Sequence, residues 1–326
     1  MEEIIIKSRV VGVDISNERT TYAVVDIRGN ILAEDSFATC DHTDINEFVK
    51  TLSEKIVLLV EANGGYESIR SIGVSAPSAS SVSGCIENAA NLPWKGVIPL
   101  AVMLREQIGL AVGLSNDAHI SALGEQAFGS AHGMRNFIIV SLGVGIGSCF
   151  FSDGIEHRGN LGYAGEFGHV CVADNGRVCG CGHKGCLEAY VGAKGIVMTA
   201  QELMQESDKP SLMRQLDKLS PRTIAECCDQ GDELAIEVYR RTGYVLGLGL
   251  ANYASVVDPQ AIIFTGGVSH AGKWLIDPTY ESFEAHVFGN LRGKVKLITS
   301  KLNDRERDVL GASALAWSVP EYSLFK

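Results

Sequence analysis

The sequence predicts an α/β protein of two related lobes, and three observations support this class. The chain has 326 residues, which is too many for one ordinary core and about right for two. After an antiparallel opening, helical and strand patterns alternate. The strand–turn–strand unit of the opening recurs near the middle of the chain, as expected of related lobes. We expect an N-terminal lobe of residues 1–116 plus about 305–326, and a C-terminal lobe of residues 117–304.

The first lobe begins with an antiparallel meander. Apolar runs separated by short turns predict three strands, over Val10–Ile15, Thr20–Asp26 and Ile31–Phe37. Apolar residues at helical spacing then predict a helix over Thr43–Leu59. The lobe continues with a strand, a helix and a further strand, over Ser71–Ser75, Pro99–Ile108 and Leu110–Ser115.

The second lobe repeats the opening pattern. An Ala-rich helix follows Asn116-Asp117 and ends near Phe128. A strand, a glycine turn and a returning strand follow, over Phe137–Leu142, Gly143–Gly147 and Ser148–Ser152. The glycine- and cysteine-rich segment Gly162–Gly195 has the composition of a loop. The remaining predicted elements are a helix, a strand and a terminal helix, over Gly243–Val257, Ala261–Phe264 and Val309–Trp317.

Composition and charge argue against nucleic acids and membranes as binding partners. The net charge is -11 and no stretch is rich in Lys or Arg, so the basic footprint of a nucleic-acid-binding protein is missing. No apolar run reaches the roughly 18 residues that a membrane helix needs. The segment Met1–Lys7 lacks the apolar core of a signal peptide. We therefore expect a cytoplasmic protein with no nucleic-acid or membrane partner.

Three of the nine cysteines crowd into one short segment, with a histidine upstream. The pattern His169-x9-Cys179-x-Cys181-x4-Cys186 supplies one imidazole and three thiolates, a closed tetrahedral set typical of structural zinc. The alternative is a glycine-rich loop with unpaired thiols. Because four protein ligands leave no position for a reactive water, the predicted metal holds the loop rather than performing chemistry.

We expect the other cysteines near this pattern or in apolar segments to pack in the protein interior. Cys171 lies between Val170 and Val172 on a predicted strand, so we expect it in the core. Cys227-Cys228 lies in a helical stretch and is also expected to be buried.

The segment around the predicted metal ligands carries a recognisable signature. It reads Glu166-Phe-Gly-His169-Val, followed by Cys179-Gly-Cys-Gly-x-x-Gly-Cys186-Leu-Glu188. This resembles the zinc-loop signature of the ROK family, which comprises repressors, open reading frames and sugar kinases. Four further segments occur in the order typical of the family, namely Asn88-Ala-Ala-Asn91-Leu-Pro-Trp94, Asn116-Asp117-Ala118, Ala122-Leu-Gly-Glu125 and Gly266-Gly267-Val268. The resemblance covers nearly the whole chain, and the zinc loop is its most specific part.

The resemblance implies an actin-like, ribonuclease H-like fold of the hexokinase superfamily. Two lobes of such a fold close on a small-molecule sugar, with ATP and Mg²⁺ on its far side. The family also suggests a homodimer. Family repressors carry an added N-terminal helix-turn-helix domain, which we do not expect here because the first strand begins near residue 10.

Sugar-contacting residues are also implied by the resemblance. Asp117 matches the catalytic aspartate of the family, which acts as general base on a sugar hydroxyl. From the residues alone, Asn116 or Asp117 could equally cap the helix that follows. The remaining sugar-contacting positions match Asn91, Asn116, Glu166, His169 and Glu188. For Asn91 the alternative is a turn residue.

Two departures in this region leave the identity of the sugar open. The family often has Pro-Asn where this chain has Ala90-Asn91, and Pro-Gly where it has Pro77-Ser78. His119 replaces a common Asn, and we assign it no role.

The residues expected on the nucleotide side match the family only in part. Asp14 matches the carboxylate on the magnesium side, but the expected Asp-x-Gly-Gly-Thr loop reads Asp14-Ile15-Ser16-Asn17-Glu18. Thr20 and Thr21 are candidates to replace the missing hydroxyl. The second loop keeps the glycines that allow close approach of a phosphate, Gly143, Gly145 and Gly147. Gly266 and Gly267 match the adenosine side. The alternative for all these glycines is a tight hairpin turn.

Two functional hypotheses follow. The first is an ATP-dependent kinase of a hexose or N-acetylhexosamine, which Asp117 favours. The second is a sugar-binding sensor without efficient phosphoryl transfer, which the altered first loop favours. A DNA-binding repressor has no support from charge or domain content.

Overall fold

The computed structural model of the protein describes residues 7–89, 91–160 and 163–320. The chain divides into two compact units. Unit 1 contains the residues up to His132 and those from Lys301 onward, and unit 2 is Gly133–Ser300.

The strands of the described chain are β1 (Arg9–Ile15), β2 (Arg19–Asp26), β3 (Ile31–Ala38), β4 (Ile69–Ser75), β5 (Ala79–Ser80), β6 (Cys85–Glu87), β7 (Val97–Ile98), β8 (Ala111–Ser115), β9 (Phe137–Leu142), β10 (Ile146–Ser152), β11 (Ile155–Glu156), β12 (Ala261–Thr265) and β13 (Lys296–Thr299). The α-helices are α1 (Ile45–Ala62), α2 (Leu100–Ile108), α3 (Asp117–Ala127), α4 (Glu188–Val191), α5 (Ala193–Glu206), α6 (Pro221–Asp229), α7 (Glu233–Val257), α8 (Lys273–His286) and α9 (Asp304–Ser318).

The two units contain five-stranded sheets of the same design. In unit 1 the strand order is β3-β2-β1-β4-β8, and in unit 2 it is β11-β10-β9-β12-β13. In each sheet an antiparallel hairpin, β1–β2 or β9–β10, is continued by two parallel strands. The internal repeat predicted from the sequence is therefore present as two sheets with equivalent topology.

Unit 1 packs helices on both faces of its sheet. One face of β1 and β2 buries Val11, Val13 and Tyr22 in a core that α1 and α2 cover. The opposite face packs against α9, which lies very close to the central strands. A Cβ on Gly12 would lie 2.4 Å from the carbonyl oxygen of Val309. Glycine at this strand position therefore allows the backbone of α9 to approach the sheet.

Helix α3 belongs to unit 1, because it packs along α9. A Cβ on Gly124 of α3 would lie 2.9 Å from the carbonyl oxygen of Arg307 on α9. The structure thus divides the chain after His132, sixteen residues beyond the boundary expected from the sequence (132 − 116). Sequence patterning cannot reveal this, since the division depends on which helix α3 contacts.

Unit 2 has a larger helical layer than the sequence indicated. Helix α7 begins at Glu233, ten residues before the predicted start, and Asp232 caps it by accepting hydrogen bonds from Leu234 N and Ala235 N. Helix α8 packs on α7 at Gly247, where a Cβ would lie 2.4 Å from the carbonyl oxygen of Thr279. These helices cover the apolar face of β9 and β12.

The segment predicted as a loop over Gly162–Gly195 is irregular only in part. Its first residue lies outside the described residues, and its end forms α4 and the start of α5. The two cysteines expected in a helix, Cys227 and Cys228, are buried in α6. Within the described ranges, no helix combines the length and apolarity that crossing a bilayer requires.

Candidate functional site

Polar residues of unit 1 collect where three parallel strands end. Strand β1 pairs with β4 and β4 with β8, and the last pairs are Asp14 with Ser75 and Ser75 with Ser115. Asn116 and Asp117 follow β8 directly. The carboxyl ends of adjacent parallel strands are the usual place for a ligand site in an open α/β sheet.

The structure assigns helix capping to Asn116 and leaves Asp117 exposed. Asn116 is the N-cap of α3, and its side chain accepts a hydrogen bond of 2.8 Å from His119 N. Asp117 lies in the first turn of the helix, where the positive end of the helix dipole favours a carboxylate. His119 itself is buried in α3. Of the two residues, Asn116 is therefore the helix cap, and the side chain of Asp117 remains exposed.

Asp14 is electrostatically linked to Asp117. The pKa of the Asp14 carboxyl is raised to about 6, chiefly by burial and to a smaller extent by the negative charge of Asp117. The hydroxyl of Ser75 beside it lowers the pKa and offsets part of this effect. A buried carboxyl whose pKa is raised by burial and by a neighbouring negative charge is a feature of catalytic and cation-binding clusters.

The first predicted phosphate loop is a closed hairpin turn. Ser16 N donates to Arg19 O at 2.9 Å, and Arg19 N donates to Ser16 Oγ at 3.2 Å. Asn17 and Glu18 are exposed at the tip of the turn. The hydroxyl of Thr20, a candidate replacement for the missing threonine, is buried and lies 2.8 Å from Thr39 Oγ1. This turn therefore lacks the open, glycine-lined backbone of a phosphate cradle.

Asn91 lies exposed in the turn segment between β6 and β7. Lys95 stabilises this segment by donating to Leu92 O at 3.1 Å. Ala90, which precedes Asn91, lies outside the described residues. Ser78 adopts φ 54°, a left-handed conformation that favours glycine. The family's Pro-Gly thus fits the backbone at Ser78 better than the Pro-Ser of this chain.

The four predicted metal ligands converge in unit 2. The ligand atoms of His169, Cys179, Cys181 and Cys186 all lie within 4.8 Å of one another. Cys179 Sγ is 3.7 Å from His169 Nδ1, and Cys181 Sγ is 3.7 Å from Cys186 Sγ. A tetrahedral zinc with bonds of about 2.3 Å sets its sulfurs roughly 3.8 Å apart. The donor set therefore fits one zinc ion with little rearrangement.

An arginine anchors the zinc loop to the helices behind it. The guanidinium of Arg177 donates to Gly195 O at 2.9 Å and pairs with Glu202 at 2.5 Å. It also stacks over the ring of Tyr190 at 4.8 Å. The side chain of Arg177 is only 13% exposed, so these are partly desolvated contacts that hold the loop on α5.

Glu166 and Glu188 flank the metal ligands on different sides. His169 Nε2 lies 3.8 Å from Glu166 Oε2, so the ring nitrogen that does not face the sulfurs points toward a carboxylate. Glu166 and His169 are both exposed. Glu188 is half-buried, and its Oε1 lies 3.6 Å from Cys179 Sγ. The structure thus places the three predicted sugar-contacting residues of this unit around the predicted metal ligands.

Glu188 also holds the second glycine turn. Its Oε2 accepts a hydrogen bond of 3.0 Å from Ile146 N. A Cβ on Gly145 would lie 2.4 Å from the same oxygen, so glycine is required for this contact. Gly143 has open space where a Cβ would stand, and Gly147 pairs with Ser141 in the β9–β10 ladder. The turn therefore leaves space beside Gly143, whose N donates to Gly145 O at 3.0 Å, and its centre is tied to the zinc loop.

Gly266 and Gly267 lie at the same sheet edge as the second glycine turn. Thr265 at the end of β12 pairs with Ser141 near the end of β9. Gly266 has φ 83°, and a Cβ there would lie 2.6 Å from Leu142 O. Gly267 is exposed at the start of the following turn. The predicted nucleotide segments of unit 2 are thus neighbours in space.

One expectation for this region is wrong. Cys171 is exposed rather than part of the core. Its flanking valines suggested a buried strand, but only an isolated bridge to Cys186 forms there, and Val170 is itself 39% exposed. The cause is that this loop lies at the surface, where backbone hydrogen bonds, such as that of 2.8 Å from Val172 N to Gly185 O, hold the segment without an apolar core on both sides.

Residues 10–319 match the model of the ROK family, and the chain belongs to this family. Its fold is the actin-like α/β fold of the hexokinase superfamily with two lobes, as the resemblance implied.

Individual relatives include both kinases and a repressor. A glucokinase of Streptomyces coelicolor is 31% identical over 315 residues, covering 94% of this chain and 96% of the relative. The crystal structure of a ROK family glucokinase from Streptomyces griseus in complex with glucose and AMPPNP is 30% identical, with a TM-score of 0.74 over 95% of this chain and 99% of that chain. A xylose repressor of Caldicellulosiruptor bescii is 26% identical over 322 residues, covering 96% of this chain and 80% of the repressor.

Sequence reasoning missed the residues that hold the site in place. Ser75 beside Asp14, Arg177 behind the zinc loop and the contact from Glu188 to Ile146 all depend on long-range packing. The sequence contained one signal for the first of these, since Ser75 ends a predicted strand. Nothing local distinguishes Arg177 from an ordinary surface arginine.

Proposed function

We propose that this protein is an ATP-dependent kinase of a hexose or N-acetylhexosamine, with Asp117 as the general base. The observation that carries the proposal is the placement of Asp117, which is exposed at the end of β8 and near Asp14, while Asn116 caps the helix. Glucokinases that match nearly the whole chain support the same reaction class.

In unit 1, Asp117 accepts the proton of the reacting sugar hydroxyl, and Asn91 and Asn116 hold neighbouring hydroxyls. In unit 2, Glu166, His169 and Glu188 bind further hydroxyls, because carboxylates and the free imidazole nitrogen accept or donate directional hydrogen bonds. These five side chains and the base are the proposed sugar-contacting residues of the two units, each considered by itself.

ATP supplies the phosphoryl group and Mg²⁺ balances its charge. In unit 1, Asp14 would be the carboxylate that helps to hold Mg²⁺. In unit 2, the backbone of Gly143, Gly145 and Gly147 would contact phosphate, and Gly266 and Gly267 would contact the adenosine. The free space where a Cβ on Gly143 would stand supports this use of the second turn.

The metal of the Cys₃His set is structural zinc in this proposal. Its four protein ligands leave no open position, and it orients Glu188 and His169. Three thiolates favour a reducing compartment, which supports a cytoplasmic location. We also propose a homodimer, as the family suggests.

A second candidate is a sugar-binding protein that does not transfer phosphate efficiently. The closed Ser16–Arg19 turn favours it, because two of its hydrogen bonds hold the backbone away from the open form of a phosphate cradle. The similarity to a xylose repressor is compatible with it.

The exchange Asp117→Asn tests the first candidate. Turnover should fall by roughly 10²-fold or more, the usual effect of removing a general base, while sugar affinity stays within a few-fold. Glu47→Gln is a matched control, because Glu47 is also an exposed acid in the first turn of a helix of unit 1. Equal turnover in Asp117→Asn and the parent protein would remove Asp117 from the mechanism.

A further inference from the structure

Cys171 lies directly opposite a predicted zinc ligand on two antiparallel segments. Cys171 and Cys186 form an isolated antiparallel bridge. Backbone hydrogen bonds of 2.8 Å and 3.0 Å join the residues on either side of the two cysteines. The cysteines are therefore a non-hydrogen-bonded pair, whose Cα atoms are typically about 4.5 Å apart with side chains on one face. A disulfide bridges Cα atoms roughly 4.4 to 6.8 Å apart, so this pair is within range.

The two thiols differ in access. Cys171 is exposed, whereas Cys186 is only 2% exposed. The sulfur of Cys171 lies against Gly185, where a Cβ would be 3.2 Å from it. Cys171 is not one of the four residues whose ligand atoms lie within 4.8 Å of one another. It is thus a thiol outside the ligand set, beside the set and open to small molecules.

We propose that Cys171 is an oxidation site whose product is a disulfide with Cys186, so that a peroxide removes one ligand from the zinc site. The proposal rests on the zinc site proposed above. Its chain-specific basis is the exposed cysteine placed across from a buried ligand cysteine.

The chemistry takes two steps and one molecule of hydrogen peroxide. The Cys171 thiolate attacks one peroxide oxygen, the O–O bond breaks, and hydroxide leaves and takes a proton to form water. The sulfur is then a sulfenic acid. The Cys186 thiolate attacks that sulfur, the S–S bond forms, and the S–O bond breaks to release a second water after protonation. Two thiolates are oxidised by two electrons and the peroxide is reduced by two.

The disulfide leaves His169, Cys179 and Cys181 for the metal. A thiolate committed to a disulfide no longer binds zinc, so the ion should be released more easily. Because Glu188 follows Cys186 by two residues and holds the second glycine turn, oxidation should also loosen that turn.

The test uses the reduced, zinc-loaded full chain with excess hydrogen peroxide and a chromogenic zinc chelator. Zinc release is recorded over time, and disulfides are mapped by peptide mass spectrometry after the free thiols are alkylated. We expect a Cys171–Cys186 peptide in the parent protein. Cys171→Ser should contain as much zinc as the parent and should release it more slowly by about tenfold or more, because the thiol that first reacts with peroxide is missing.

Cys40→Ser is the matched control, because Cys40 is an exposed thiol in unit 1. It should release zinc as fast as the parent. Equal release rates in Cys171→Ser and the parent, a dominant disulfide among Cys179, Cys181 and Cys186, or loss of zinc from Cys171→Ser would each overturn the proposal. A parent protein that contains no zinc after purification in reducing, metal-replete buffer would refute the zinc site, and the peptide map of that sample would still decide whether Cys171 pairs with Cys186.

Discussion

Replacing Asp14 by Asn removes a carboxyl group whose pKa burial raises from 3.8 to about 6. The folded state binds this proton more tightly than the unfolded state does. The free energy of unfolding of the parent protein therefore falls as the pH rises from about 4 to about 6, and it stays at the lower value above that range. A shift of about 2 pKa units corresponds to roughly 3 kcal/mol as an upper bound. Because Asp14 keeps some contact with solvent, we expect roughly 1 to 3 kcal/mol.

Urea denaturation of Asp14→Asn and the parent protein between about pH 4 and pH 7 measures this effect. The variant should gain stability relative to the parent as the pH rises. Loss of zinc at low pH affects both proteins alike and cancels in the difference. Asp117→Asn is an informative control. It removes the contribution of the Asp117 charge and leaves that of burial, so it should lower the pKa of Asp14 only in part. A stability difference that is constant over this pH range would refute the raised pKa.

The remaining predictions concern the zinc, the sugar and the first turn. Cys181→Ser should lower the zinc content from about one ion per chain to near zero and lower the melting temperature; full zinc content would remove Cys181 from the ligand set. Glu188→Gln should weaken sugar binding by roughly 10- to 100-fold, because it weakens a charge-assisted hydrogen bond, and unchanged affinity in calorimetry would place Glu188 outside the sugar site. The triple exchange Ser16→Gly, Asn17→Gly and Glu18→Thr should tighten ATP binding by about tenfold or more, because it opens the backbone and removes a negative charge. Micromolar ATP affinity in the parent, with no gain in the rebuilt turn, would contradict this interpretation.

The elements that the sequence predicted best are those with a strong local pattern. Strand β9 begins and ends at the predicted residues, and α3 begins after the Asn116 cap that the sequence contains. The convergence of the three cysteines and the histidine was also predictable, because these residues at this spacing have few other uses. In each case a few neighbouring residues contain the information.

The parts that the sequence did not predict depend on distant residues. Strands β5 to β7 have two or three residues each, which is too short for a periodic pattern. The predicted start of α7 at Gly243 was wrong, although Asp232 is a good N-cap. Glycine is a poor helix former, and the glycines from Gly243 onward made the helical pattern difficult to delimit. The exposure of Cys171 could not be predicted, because a cysteine between two valines is typical of a buried strand.

The most direct test of the proposed kinase is an ATP-to-ADP coupled assay with Mg²⁺ across a panel of hexoses and N-acetylhexosamines, paired with thermal-shift measurements on the same sugars. The kinase account predicts sugar-dependent ADP formation with at least one sugar that also raises the melting temperature, and loss of that turnover in Asp117→Asn. Stabilisation of the parent protein by one or more sugars, with no ADP formation from any sugar of the panel, would contradict the kinase and select the sugar-binding alternative.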